Sequence, residues 1–170
     1  MFLPLFFFAF GFTAASLDQD AIEGIFGGQQ AKLGEFPHHV FVTYPYTDED
    51  GNLFDTVCGG SLITDRHVIT AAHCVKESGK GQIMVGALDR TNSKQGQWKK
   101  IVGSLVHVSY NDTTLENDIA ILQIEPVDLH DRNVGLIQIR RDDLGLTKNQ
   151  EASVSGFGTC NCNVYQPTQV

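Results

Sequence analysis

Beyond residue 24, short apolar runs of β-type residues are separated by polar, turn-rich stretches, and helical spacing is scarce. Val40–Tyr44 (VFVTY) is apolar and β-branched. Thr56–Ile63 (TVCGGSLI) follows the polar, turn-rich TDEDGN, and Val68–Thr70 is short and runs into AAHC. Gln82–Leu88 (QIMVGAL), Trp98–Tyr110 (WKKIVGSLVHVSY), Asp118–Ile124 (DIAILQI) and Glu151–Gly156 (EASVSG) continue the series. Short strands at near-regular spacing, with Gly, Asn and Asp between them, predict an all-β chain, either an antiparallel barrel or a sandwich. The glycines of CGG, VGA and SGFG suit bulges, tight turns and close backbone approach.

Hydrophobicity at the N-terminus is of another kind. Six of the eleven Phe fall within the first twelve residues, and the run ends in Thr13, Ala14, Ala15 and Ser16 before the acidic LDQD. The stretch is shorter than the ~20 apolar residues that span a bilayer. An apolar core closed by small residues is the pattern of a secretory signal peptide, so residues 1–16 are assigned as one, with cleavage after Ala15 or Ser16 fitting equally. Only the α-amino group of Met1 supplies positive charge there, and an uncleaved membrane anchor is the competing reading. A cleaved leader implies a secreted, extracellular protein with no membrane contact afterwards.

The chain carries 12 basic against 20 acidic side chains, and without residues 1–24 its formal net charge is −5. A phosphate backbone is not drawn to that balance, which excludes nucleic acid as a partner. Four cysteines in a secreted chain point to disulfides before metal. Cys58 and Cys74 are close enough in sequence to close one modest loop. Cys160 and Cys162, in TCNC, are poorly spaced to bond each other, and their partners are expected beyond Val170. No CxxC, HxxxH or HExxH occurs, so no metal is expected; a secreted metal-binding module would rest on His and Cys counts alone. Phosphate-cradling and dinucleotide motifs are also missing, and no cofactor is expected. Asn111-Asp112-Thr113 is a candidate glycosylation sequon.

The stretch ITAAHCV holds His73 between small alanines and a cysteine. A histidine serves as general base when a carboxylate fixes its other ring nitrogen. The best candidate is Asp118 in NDIAIL, at the head of an apolar strand, where burial of a carboxylate is costly unless it is paired. The alternative is a packed core histidine and an aspartate that merely starts a strand.

The set IFGG, CGGSLI, TAAHC, NDIAIL and SGFGT, in this order and spacing, resembles the trypsin/chymotrypsin family of serine endopeptidases over residues 25 to about 159. The resemblance implies a chymotrypsin-like double antiparallel β-barrel, with a first barrel over about 25–132 and only the start of a second over 133–170. It implies His73 as catalytic base, Asp118 as the carboxylate that orients it, and a Cys58–Cys74 bridge beside the histidine. It makes Ile25 the N-terminus of the activated enzyme and residues 17–24 a short propeptide. Protein or peptide substrates follow, with an activating protease. Because Gly24 stands where the family usually has Arg or Lys, that protease would not be trypsin-like.

Other departures concern the second half and the loops. The family's serine should lie about 90 residues beyond the aspartate, past Val170, and no GDSGG-like segment is present. The chain as given is therefore expected to be an incomplete, inactive part of a secreted serine endopeptidase, or else a non-catalytic homologue acting as a secreted binding protein. Phe157 replaces the usual Trp of SGWG, Ala152 stands where Cys is common, and Ala87 replaces the Glu of calcium-binding members. In the insert PYTDEDGN, Asp48, Glu49 and Asp50 suggest either a preference for basic residues on the leaving-group side or a solvated acidic loop.

Overall fold

The computed structural model describes residues 28–48, 50–76, 81–92, 94–140 and 151–158. Among these residues are six antiparallel strands: β1 His39–Thr47, β2 Leu53–Thr64, β3 His67–Thr70, β4 Gln82–Val85, β5 Gln97–Val106 and β6 Ala120–Ile124. They close into a barrel in the order β1-β2-β3-β6-β5-β4. Closure depends on β1, where Val40 faces Gly60 of β2 on one side and Val85 of β4 on the other. The all-β expectation is thus met by a closed antiparallel barrel and not by a sandwich.

Alternation along β1 sends Val40, Val42 and Tyr44 inward, where they pack with Leu62, Val68, Ile83, Val85, Ile101, Leu122 and Ile124. β4 stops at Val85 because Gly86 turns the chain at φ +72°. β5 ends at Val106 as residues 107–110 form a turn closed by Tyr110 N–H on the His107 carbonyl. The β1–β2 hairpin runs further than its sequence suggests, because Asp48 braces the turn. Its carboxylate accepts the backbone N–H of Asn52 at 2.7 Å and the side-chain amide of Asn52 at 3.0 Å. The acid is held below the usual carboxylate range by those bonds, the side-chain one foremost. Asp48 therefore shapes the insert, while Glu49 lies outside the described residues.

Gly60 lets β2 pass tightly over β3. A Cβ there would lie 2.7 Å from Val68 Cγ1 and 2.9 Å from the Ile69 carbonyl oxygen. Gly60→Ala is expected to cost about 1–3 kcal/mol, read as a lower denaturation midpoint at unchanged m-value.

The outward face of β1 builds a second apolar contact. Phe41 is buried under Trp98, whose ring stands edge-on at 6.1 Å, and under Phe157 at 5.5 Å. His39 contacts the Phe157 ring at 5.4 Å, and its Nδ1 is 2.9 Å from Ser155 Oγ. Residues 151–158 are attached to the barrel by these side chains, and the strand expected over 151–156 is not formed. A strand needs a neighbour's ladder, and among the described residues no strand pairs with this segment. Within the described residues no helix is long and apolar enough to cross a membrane.

His39 makes this attachment sensitive to acid. Its Nε2 is buried with no hydrogen-bond partner. Its pKa is lowered from the ordinary 6.5, chiefly by burial and then by the neighbouring His38. A histidine with a lowered folded-state pKa contributes stability that is present above pH 6.5 and lost as pH falls below it, because the unfolded chain takes up the proton first. Denaturation at pH 7.5 and 5 is expected to show a larger acid loss for the wild type than for His39→Gln. Equal losses would remove His39 from the account.

Candidate active site

β3 leads directly into a 3-10 turn, Ala72–Cys74, entered through the extended Ala71. The turn is closed by Cys74 N–H on the Ala71 carbonyl and Val75 N–H on the Ala72 carbonyl. Its outer members, Ala72 and Cys74, are 3% and 4% exposed, and the residue between them is turned out to solvent. That residue is His73, whose side chain is 54% exposed, so it is no packed core histidine. Cys74 is joined to Cys58 of β2 by a disulfide with 6.1 Å between Cα atoms, which fastens the turn to the neighbouring strand.

Asp118 arrives from the other side. β6 pairs with β3 so that Ala120 faces Thr70. In an antiparallel pair the residues just before Ala120 then run beside those just after Thr70, which brings Asp118 to His73 across 45 positions of sequence. Asn117, at φ 55°, re-aims the chain immediately before the aspartate. Asp118 lies two residues ahead of β6, not within it, and its side chain is 20% exposed.

Both oxygens of Asp118 are fastened on His73. Oδ1 accepts the His73 backbone N–H at 2.9 Å, and Oδ2 lies 2.7 Å from Nδ1. A carboxylate only accepts, so Nδ1 carries the proton, and in the neutral ring Nε2, which lies 3.4 Å from Cys74 Sγ, keeps its lone pair. The Asp118 pKa is lowered, first by the side-chain bond from His73 and then by its backbone N–H. The carboxylate is therefore charged throughout the neutral range. Lys76 Nζ donates to the His73 carbonyl at 3.1 Å and steadies the exit of the turn.

Three further groups belong to this neighbourhood whose part in it the motifs did not announce. Thr70 is buried, and its hydroxyl donates to the Gly59 carbonyl at 2.7 Å, tying the end of β3 to the CGG segment of β2. Tyr110 is near enough to Asp118 for the acid's charge to add, after burial, to the upward push on its phenol. The backbone N–H of His73 orients Asp118 as much as the ring does. Thr70 is the first residue of TAAHC, yet the motif does not show that its hydroxyl binds the Gly59 carbonyl.

Cys58, His73 and Cys74 bring three potential ligand atoms within 4.8 Å. The sulfurs are bonded to each other and offer no thiolate, so the trio is not a metal ligand set. In the loop after β4, the Gln95 side-chain oxygen accepts the N–H groups of Leu88 and Asp89 and braces the loop from within. Asn111 is exposed on the loop between β5 and β6. Ile25, Cys160, Cys162 and residues 1–24 lie outside the described residues. Among those described, no serine hydroxyl is bonded to His73; Ser155 is bonded to His39 instead.

Comparison with known proteins gives the family and the fold. The sequence model of the family described as Trypsin matches residues 25–170. A chymotrypsin of Phaedon cochleariae is 31% identical over 155 residues, covering 85% of this chain and 51% of that protein. Granzyme-like protein 1 of Rattus norvegicus is 30% identical over 135 residues, covering 79% and 52%. The chain thus spans about half the length of these curated relatives. A solved structure titled as HL collagenase superposes with a TM-score of 0.67 at 27% identity, covering 86% of this chain and 60% of that one. Another, titled Structure of GrC, gives 0.59 at 24% identity, covering 69% and 49%, and supports the fold alone.

Proposed function

The chain belongs to the trypsin family of serine proteases, and we propose that it is the N-terminal part of a secreted serine endopeptidase in which His73 is the general base and Asp118 its orienting carboxylate. The observation that carries this reading is the double grip of Asp118 on His73, at the ring and at the backbone. It sets the ring's tautomer and its direction together, which a histidine with only a structural role would not require.

In this reading Nε2 takes the proton of a serine hydroxyl supplied downstream of Val170 as that oxygen attacks the substrate carbonyl. Asp118 remains ionised and stabilises the imidazolium that results, and Nε2 then returns the proton to the leaving amine. Residues 1–16 direct secretion, residues 17–24 are a propeptide, and cutting before Ile25 by a protease that accepts glycine activates the enzyme. The first barrel ends near residue 132, and 133–170 begin the second.

The test is the intact mass and C-terminal peptide sequence of the natural protein, with labelling by a fluorophosphonate that reacts with activated serines. A species that extends past Val170, and whose label is lost in His73→Ala, is the expected result. A stable species ending at Val170 without label would overturn the enzyme and leave the secreted binding protein.

A further inference from the structure

We propose that Asn111 carries an N-linked oligosaccharide, and that this sugar stands at the rim of the His73–Asp118 pair and limits the site to extended peptide segments. The second half rests on the endopeptidase reading above; the first does not.

The sequon Asn111-Asp112-Thr113 has no proline at its centre, and residues 111–117 are all exposed. The Asn111 side-chain oxygen accepts the N–H groups of Thr113 at 2.9 Å and Thr114 at 3.1 Å. Its oxygen is thereby turned into the loop, while Nδ2, the atom that would be glycosylated, is in no hydrogen bond among the described residues. Transfer is balanced with a lipid-diphosphate-linked oligosaccharide as donor. The bond from Nδ2 to the sugar's anomeric carbon forms as the bond from that carbon to the diphosphate oxygen breaks. The diphosphate leaves with the electron pair, and Nδ2 loses one proton.

The loop's own hydrogen bonds place the sugar. His107 N–H donates to the Ile119 carbonyl, Asn117 Nδ2 to the Ser109 carbonyl, and Asn111 N–H to the Glu116 carbonyl. The two arms therefore run side by side, and Asn111 lies across from Glu116, two residues before Asp118. The adjacent Tyr110 is within reach of the Asp118 charge. Val108, 97% exposed, and Leu115, 54% exposed, are bare apolar side chains on this same loop, and a bulky hydrophilic sugar would shield them. Such a sugar obstructs a folded protein surface approaching His73 more than it obstructs a single extended strand.

The experiment uses the full-length protein made in eukaryotic secretory cells, once with its own residues 1–16 and once with a proven signal in their place. Masses are compared before and after peptide-N-glycosidase for wild type, Asn111→Gln and Thr113→Ala. One glycan lost from wild type and from neither variant supports the site. No glycan under either signal overturns it, whereas a glycan only under the proven signal supports the site and counts against the leader. Thr113→Ala keeps the Asn111 side chain that braces the loop. It is expected to raise cleavage of a folded protein substrate several-fold while leaving that of a short peptide amide unchanged. An unchanged protein-to-peptide ratio would overturn the filter. Failure of every form to cut the peptide would overturn the endopeptidase reading, with the mass result still deciding the site.

Discussion

Replacing Asp118 by Asn in the full-length protein is expected to lower kcat at neutral pH by about four orders of magnitude, the size this change has in the family's serine–histidine–aspartate template. The geometry gives the reason. Asp118 Oδ1 already accepts the His73 backbone N–H, so the side-chain oxygen of the introduced asparagine would stay there and its amide nitrogen would face Nδ1. An amide nitrogen donates, so the ring would adopt the tautomer with the proton on Nε2 and could no longer take one from a serine. KM should move little, because both oxygens of Asp118 are already bonded to His73. Part of the loss should return at high pH, where hydroxide can act as the base. A variant that keeps full kcat would show that the contact is structural only. Because hydrogen bonding from His73 lowers the Asp118 pKa from 3.8, the pairing is present above that value and is lost as pH falls through the lower folded-state value. Acid down to about pH 5 should therefore leave this half of the site charged.

The sequence made His73 and Asp118 legible because two short motifs survive intact, TAAHC and NDIAIL. Neither shows why they meet. That depends on the β3–β6 register, with Thr70 against Ala120, and register is a property of two segments far apart in the chain. The sequence also left open which way His73 points. Its small, apolar neighbours fit a packed core histidine, yet in a single 3-10 turn Ala72 and Cys74 go inward and the residue between them goes out. Alternation in EASVSG suggested a strand because period-two patterning marks a pleated segment, but it does not supply the partner that makes one. What holds that segment is Ser155 on His39, 116 positions away, and Phe157 on Phe41. Asp48 is a related case: an acid in a polar insert reads as available charge until its bonds to Asn52 show it committed to the turn.

Removing the bridge with a Cys58→Ala, Cys74→Ala double variant should separate stability from catalysis. The bond closes a loop with a sequence separation of 16, and releasing it frees the unfolded chain by about 3 kcal/mol in the chain-entropy model. Cys74 is buried, so the lost sulfurs add a cavity cost on top. Denaturation of the double variant against wild type should show a loss of at least that order. Catalysis is expected to suffer far less than in Asp118→Asn. The turn that presents His73 keeps its own hydrogen bonds, the buried Ala72, the Lys76 contact and both bonds to Asp118. The bridge restrains where the turn sits relative to β2, whereas Asp118 determines which nitrogen of the ring is basic. A double variant whose kcat falls as far as that of Asp118→Asn would mean that the carboxylate cannot hold the ring without the bridge, and the two roles would have to be merged.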